Sequence, residues 1–301
     1  EKVPIYQGML LDMYPLVNSG AFENKGYEIE INLKKSLQKN LNISAGGFLT
    51  YAENKVINSE ELSKGTDYTY PFRTEGYPHG QNFGYLVDYS NGNGFYNTDQ
   101  ELNSSNLEYS MGAPRVGDLI YQDLNDDGTI DEKDMAPIGS GAIPKYYYGF
   151  SGELKYKGFD INFLLQGVAD WKLYSAGTGI WEYNMDGIFG TLHKQAWTEE
   201  RYKNGEKITA PALSTERSTS HQNNDYYYYD RSYLRLKHLE LGYTLPSNIA
   251  KAIFSDGLRI NVSGHNLFTL NNMKSDDFGP EDHYHQIPVY RVYNIGLTIN
   301  F

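Results

Sequence analysis

The sequence predicts an all-β protein: a transmembrane antiparallel β-barrel segment with long loops on one side. Three observations predict it. Apolar and polar residues alternate along segments of ten residues or more, the period of a strand with one apolar face. The connections between these segments alternate short and long, as in an outer-membrane barrel with tight turns at one end and long loops at the other. Aromatics gather near the strand ends, among them Tyr146, Tyr148, Trp171, Tyr174, Tyr226 to Tyr229 and Tyr290, where an interface belt sits. Alternation alone would serve a soluble β-sandwich equally well. The loop asymmetry favours the barrel.

Each element follows in order. The opening stretch, Val3 to Met13, reads as a further strand whose element began before residue 1. Tyr27, Ile29, Ile31 and Leu33 then alternate with Glu28, Glu30, Asn32 and Lys34. After the short link Ser36 to Asn40, one face carries Leu41, Ile43, Ala45, Gly47, Leu49 and Tyr51. A long loop, 55–144, leads to Tyr146, Tyr148, Phe150, Gly152, Leu154 and Tyr156. The tight link Lys157-Gly158 leads to Phe159, Ile161, Phe163, Leu165, Gly167, Ala169 and Trp171. The second long loop is 176–228. From Tyr233 to Leu245 the phase breaks: Leu234 and Leu236 are even, Leu239, Leu241 and Tyr243 odd. A β-bulge near Lys237-His238 restores one common face. The stretch Pro246–Gly257 has room for one helical turn. Leu258, Ile260, Val262 and Phe268 follow, then the third long loop, 271–288. The last strand puts Tyr293, Ile295, Leu297, Ile299 and Phe301 on one face and Asn294, Gly296, Thr298 and Asn300 on the other. Several of these strands exceed the usual five or six residues and reach the 9–11 that cross a bilayer when tilted. With the short turns taken as periplasmic, the final strand runs inward.

Composition narrows the function classes. The chain has 301 residues, a net charge of −12 and no cysteine. An acidic balance argues against nucleic acid and anionic membrane surfaces. Absent cysteine excludes disulfides and thiolate metal sites. Tyr is over-used, with 28 against 13 Phe and 3 Trp, which suits strands and membrane interfaces. Mean hydropathy is −0.59 and no run of about 18 apolar residues makes a membrane helix, but a barrel wall needs neither.

One segment carries metal chemistry. Asp123-Leu-Asn-Asp-Asp-Gly-Thr-Ile-Asp-Glu-Lys-Asp134 has the spacing of an EF-hand-type calcium loop. Asp123, Asn125, Asp127, the Thr129 carbonyl, Asp131 and Asp134 fall at positions one, three, five, seven, nine and twelve, and Gly128 supplies the turn at six. Asp rather than Glu at position twelve predicts weak affinity. No helix flanks the loop, so its expected role is to brace the loop. The competing reading is an acidic solvated turn. Trp181, Tyr183 and Trp197 in the second long loop are candidate platforms for a sugar ring or peptide, with packing of the loop on itself as the alternative. His283 and His285 beside Glu281 and Asp282, and the carboxylates Asp276 and Asp277, read as a charged loop rather than a metal or glycosidase site. No nucleophile elbow, H-E-x-x-H or phosphate loop occurs.

The residues resemble the SusC-like TonB-dependent outer-membrane transporters. The likeness runs through Phe22 to Ile31, Glu75 to Gly80 with Phe83-Gly-Tyr85, Gly117 to Asp131, Tyr148-Gly-Phe, Tyr156 to Asp160, and Leu165-Gln-Gly167. It is most specific at Ser232 to Pro246 and Ser263 to Phe268. His79 and Gln81 depart from a more apolar loop signature, and Tyr89 to Gly94 reads as an insertion. The resemblance implies the last seven or eight strands of a 22-stranded barrel, with residues 1–301 as its C-terminal part. It implies that Asn294, Gly296, Ile299 and Phe301 form the signal read by the barrel-assembly machinery. A plug domain and the remaining barrel strands would belong to the same transporter. A SusD-like surface lipoprotein, the TonB complex and outer-membrane lipid would be partners, with a dimer of transporter–lipoprotein pairs as the assembly. The expected function is import of an oligosaccharide or peptide. The alternative is a calcium-braced glycan-binding or adhesin module. An enzyme on a small barrel would need a nucleophile–base pair on one strand face, and the pattern offers none.

Overall fold

The computed structural model describes residues 18–38, 40–61, 73–139, 143–177, 179–184, 187, 189–252, 254–282 and 289–301. The strand expected at Val3 to Met13 and the histidines His283 and His285 lie outside the described residues. Seven long strands form one sheet: β1 (Ala21–Gln38), β2 (Leu41–Asn58), β3 (Tyr146–Tyr156), β4 (Phe159–Ala169), β5 (Tyr233–Thr244), β6 (Gly257–Asn271) and β7 (Val292–Asn300). They lie side by side in chain order, and the ladders from β2 to β7 are antiparallel throughout. The chain is therefore an all-β antiparallel meander, as its sequence pattern predicts.

Local chemistry sets the turns and register. Lys157 and Gly158 both take positive φ, 47° and 89°, as a two-residue hairpin turn that matches strand twist requires. A Cβ on Gly158 would also come within 2.6 Å of the Thr244 carbonyl oxygen. The register of β5 slips between Leu236 and His238 against both neighbours, which is the bulge expected at Lys237-His238. Without it the two halves of β5 would show their leucines to opposite faces. The connection after β5 contains a short helix, Ser247–Ala252. β2 continues to Asn58, past the point where the first long loop is expected to begin.

The chain divides into two compact units. One holds the sheet and comprises Gly26–Ala52, Ile143–Lys172 and Tyr229–Phe301. Its buried apolar cluster is small, namely Val168, Trp171 and Tyr233. The other unit draws mainly on Glu53–Ala142 and Leu173–Tyr228. It has a core of its own, including Phe83, Tyr85, Val87, Phe95, Tyr96, Leu119, Tyr121, Ile130 and Ile138. Short pairings brace it: Phe83–Tyr85 runs antiparallel to Met135–Pro137, and Glu108–Tyr109 runs parallel to Thr129–Ile130. Among the described residues, the first two long connections are thus packed structure rather than open loops.

Candidate functional site

The sheet presents two chemically opposite faces. Directly opposed pairs place Ile43, Leu154, Ile161, Leu241, Val262 and Ile295 in one continuous row from β2 to β7. The row is uncovered: Leu241 is 53% exposed, Val262 50% and Ile295 84%. One residue along, the other face carries the row Ser44, Glu153, Asn162, Glu240, Ser263 and Asn294. Arg259 ties that face together. Its guanidinium donates to Asp160 on β4, at 2.8 Å to Oδ2, and to Glu240 on β5 at 2.6 Å. A shallow cavity on the polar face is lined by Asn32, Lys34, Ser44, Glu153, Asn162 and His238 among others.

A second polar assembly gathers near the start of β5. Arg231 is wholly buried. Its Nη1 donates to the carbonyls of Pro280 at 3.2 Å and Asp282 at 2.7 Å, and its guanidinium lies over Trp171 and Phe278. Tyr233 Oη and Arg235 Nη1 both donate to Glu281, and Arg235 Nε donates to Thr269 Oγ1 at 2.8 Å. This clamp fastens Pro280–Asp282 to β5.

The acidic segment folds as a closed loop. Asp123 accepts from the amides of Asp127 and Gly128 at 3.3 and 2.7 Å, Asn125 from Asp127 at 3.1 Å, and Asp127 from Thr129 at 2.8 Å. Gly128 takes φ 80°, the turn its position requires. Asp134 is fully buried and accepts from the amides of Leu124 and Asp131, both at 2.8 Å. Burial pushes its carboxyl above the usual value, against the pull of those amides. Asp131 caps the 3-10 turn Glu132–Asp134 through the Lys133 amide. These hard oxygens suit calcium in kind. Among the described residues no three His, Asp or Glu side chains gather as a metal cluster; the set on this loop also counts the Asn125 amide and the Thr129 carbonyl.

The aromatic candidates separate into two settings. Trp181 and Tyr183 stack on each other with centroids 6.0 Å apart, and both edge onto His221. Trp197 donates to Asn97 at 3.1 Å and packs where a side chain on Gly117 would stand. All three are half-buried.

Beneath Trp181 and Tyr183 lies a constellation the sequence did not reveal. His221 Nε2 is 3.0 Å from Glu182 Oε2, and Ser218 Oγ is 3.1 Å from His221 Nδ1. The order Ser–His–Glu imitates a hydrolase triad. The hydrogen bonds argue otherwise. The Ser218 amide donates to Nδ1 at 2.9 Å, so Nδ1 is already engaged as an acceptor and Nε2–H donates to Glu182. Glu182 Oε1 accepts from the Ser214 amide at 2.8 Å, and Ser218 caps the 3-10 turn Thr219–His221. Burial alone would raise the Glu182 carboxyl. The hydrogen bond from His221, with the Ser214 amide, overrules it and holds the carboxyl below the usual value. The group is a structural lock. A pairing across 39 residues of irregular chain leaves no periodic signal that could have disclosed it.

Comparison with known proteins bears on the family. No family model matches the chain. Three curated proteins of Formosa agariphila do. TonB-dependent receptor P3 is 25% identical over 325 aligned positions, covering 99% of this chain, and receptors P26 and P39 are 27% and 25% identical, each over 88% of it. Its homologues are TonB-dependent receptors. The chain spans about 30% of the length of these receptors. The RagAB peptide transporter has the same fold over 96% of this chain, with a TM-score of 0.65 and 18% identity. The RagAB peptide importer in its closed-closed state gives 0.65 over 96%, at 19% identity. In each case the match takes up 30% of the larger chain. These relatives are receptors and transporters rather than enzymes, which agrees with the structural reading of Ser218, His221 and Glu182. Against TonB-dependent receptors, the most specific stretch of the resemblance, Ser232 to Pro246, acquires a physical content. It contains Tyr233 and Arg235 of the clamp, the bulge at Leu236/His238, and Leu241 of the apolar row. Of the terminal residues, Asn294 faces Ser263 and Gly296 faces Asn261, where a Cβ would stand 2.3 Å from Oδ1. Ile299 is 40% and Phe301 87% exposed.

Proposed function

We propose that this chain is barrel wall of an outer-membrane importer driven by TonB. The supporting observation is the pair of rows: an uncovered apolar row across six strands, backed by a polar row on the opposite face. Lipid would meet the first and the transport path the second. Loops 55–144, 176–228 and 271–288 would face the cell exterior, beneath a SusD-like lipoprotein, in a dimer of transporter–lipoprotein pairs. The signal at Asn294, Gly296, Ile299 and Phe301 would direct insertion. The RagAB relatives carry peptides, which makes peptide the first substrate class to test and oligosaccharide the second. The half-buried pair Trp181 and Tyr183 would help contact substrate. Calcium as a brace of the Asp123–Asp134 loop rests on its oxygen set alone, and no transport step depends on it.

The test is uptake of a fluorescent peptide mixture by cells with and without the protein, before and after collapse of the proton gradient. The proposal expects uptake that needs both the protein and the gradient, and extraction of the protein only by detergent. Release by salt or alkali without detergent would end it.

A further inference from the structure

We propose that His238 and His265 form an open two-histidine site for a tetrahedral divalent ion, Zn2+ in the first place. The two residues face each other directly across the β5–β6 ladder. Their Nδ1 atoms stand 3.4 Å apart, with ring centroids at 4.7 Å and planes tilted by 42°. That separation is long for a hydrogen bond, beyond the 2.7–3.2 Å usual for N–H···O. It is the bite of a chelate. Two Zn–N bonds of about 2.0–2.1 Å meeting near the tetrahedral angle set their nitrogens about 3.3–3.4 Å apart. A square-planar ion, with bonds of the same length meeting at about 90°, would need about 2.9 Å, which disfavours Cu2+ in this geometry.

The backbone fixes this bite. The bulge between Leu236 and His238 turns the His238 side chain onto the polar face, where it lines the cavity with Asn162 and Glu153. A regular strand would have put position 238 among the exposed leucines of the other face. Both rings are half-buried, which limits their rotamers without closing the approach. No third His, Asp or Glu among the described residues joins them, so two coordination positions remain for water or for an oxygen or nitrogen donor of a ligand on the polar face. Both imidazoles bind as the neutral Nε2–H tautomer, with Nδ1 on the ion.

The experiment is titration of the detergent-purified protein with Zn2+ by calorimetry, and with Co2+ as a visible reporter of tetrahedral coordination. One ion per chain and the intense Co2+ bands are expected. His238→Gln and His265→Gln should each weaken binding at least tenfold, while His79→Gln leaves it intact. Zinc K-edge absorption on the unsubstituted protein guards against a variant that does not fold. Two imidazoles in the zinc shell support the site. Binding unchanged in both variants, no binding at all, or a zinc shell without imidazole overturns it.

Discussion

Leu241→Lys separates a membrane wall from a soluble sheet. Leu241 lies mid-strand in β5, between Ile161 and Val262 in the apolar row, and is 53% exposed. In water, replacing so exposed a leucine by lysine changes stability by no more than about 0.5 kcal/mol. In hydrocarbon, a lysine on the lipid face near the midplane costs about 2–4 kcal/mol. At about 1.36 kcal/mol per decade, that is roughly a 30- to 900-fold fall in the folded-to-unfolded ratio. Ser44→Lys is the control. Ser44 lies on the polar face of β2 and bonds Glu153 at 3.2 Å, so a lysine there gains a carboxylate neighbour. Urea unfolding of both variants in liposomes, followed by gel heat-modifiability, reads the difference. Ser44→Lys should stay within about 1 kcal/mol of the parent while Leu241→Lys moves by the larger figure. Equal effects in the two variants would refute the assignment of the faces.

Four further outcomes follow from the second unit. Glu182→Gln offers one acceptor oxygen to two N–H donors, so its NH2 meets either His221 Nε2–H, which the Ser218 amide keeps protonated on that side, or the Ser214 amide; it should cost about 1–3 kcal/mol locally, read as faster hydrogen exchange at Ser214 and Ser218. Because the Glu182 carboxyl is held below its ordinary value of 4.5, its stabilisation is full above that pH and lost as pH falls through the folded value; exchange rates that do not respond below pH 4.5 would contradict the lock. Tyr121→Phe leaves the Thr219 carbonyl without its 2.8 Å donor and should lower the stability of this unit by about 1–3 kcal/mol by limited proteolysis. Asp127→Ala should lower thermal stability only when calcium is present, and equal loss with and without calcium would remove the metal.

The sheet was legible because its apolar residues point outward at a strict period of two. Tyr27 to Leu33 and Tyr293 to Phe301 could be placed on faces from the sequence alone, and even the bulge showed as a change from even to odd leucines in β5. The second unit was not legible. Its core joins apolar side chains to tyrosines and buried polar groups that meet over long separations: Asn224 bonds Tyr121, and Ser220 bonds Asp118. No local periodicity encodes such pairs, because the backbone between them is irregular. The calcium-type loop falls between these cases. Its spacing fixed the turn at Gly128, but spacing could not foretell that its carboxylates would close on backbone amides.

The choice between barrel wall and sandwich, open on alternation alone, turns on what covers the apolar row. A sandwich needs a second sheet about 10 Å away with its side chains interleaved. Its inner face would then read as buried. Here Leu154 is 40% exposed, Leu241 53%, Val262 50% and Ile295 84%, and the described residues form no second large sheet. The row is also too continuous to be a scatter of surface leucines, since each member is the direct partner of the next across five ladders. A contiguous apolar band of this extent marks a membrane or protein-interaction surface. The sheet edges carry the same message. Among the described residues β1 and β7 each have a neighbour on one side only, and unpaired backbone groups in hydrocarbon cost several kcal/mol each. Further strands must therefore close these edges wherever the sheet meets lipid, which fits receptors of which this chain spans about 30%.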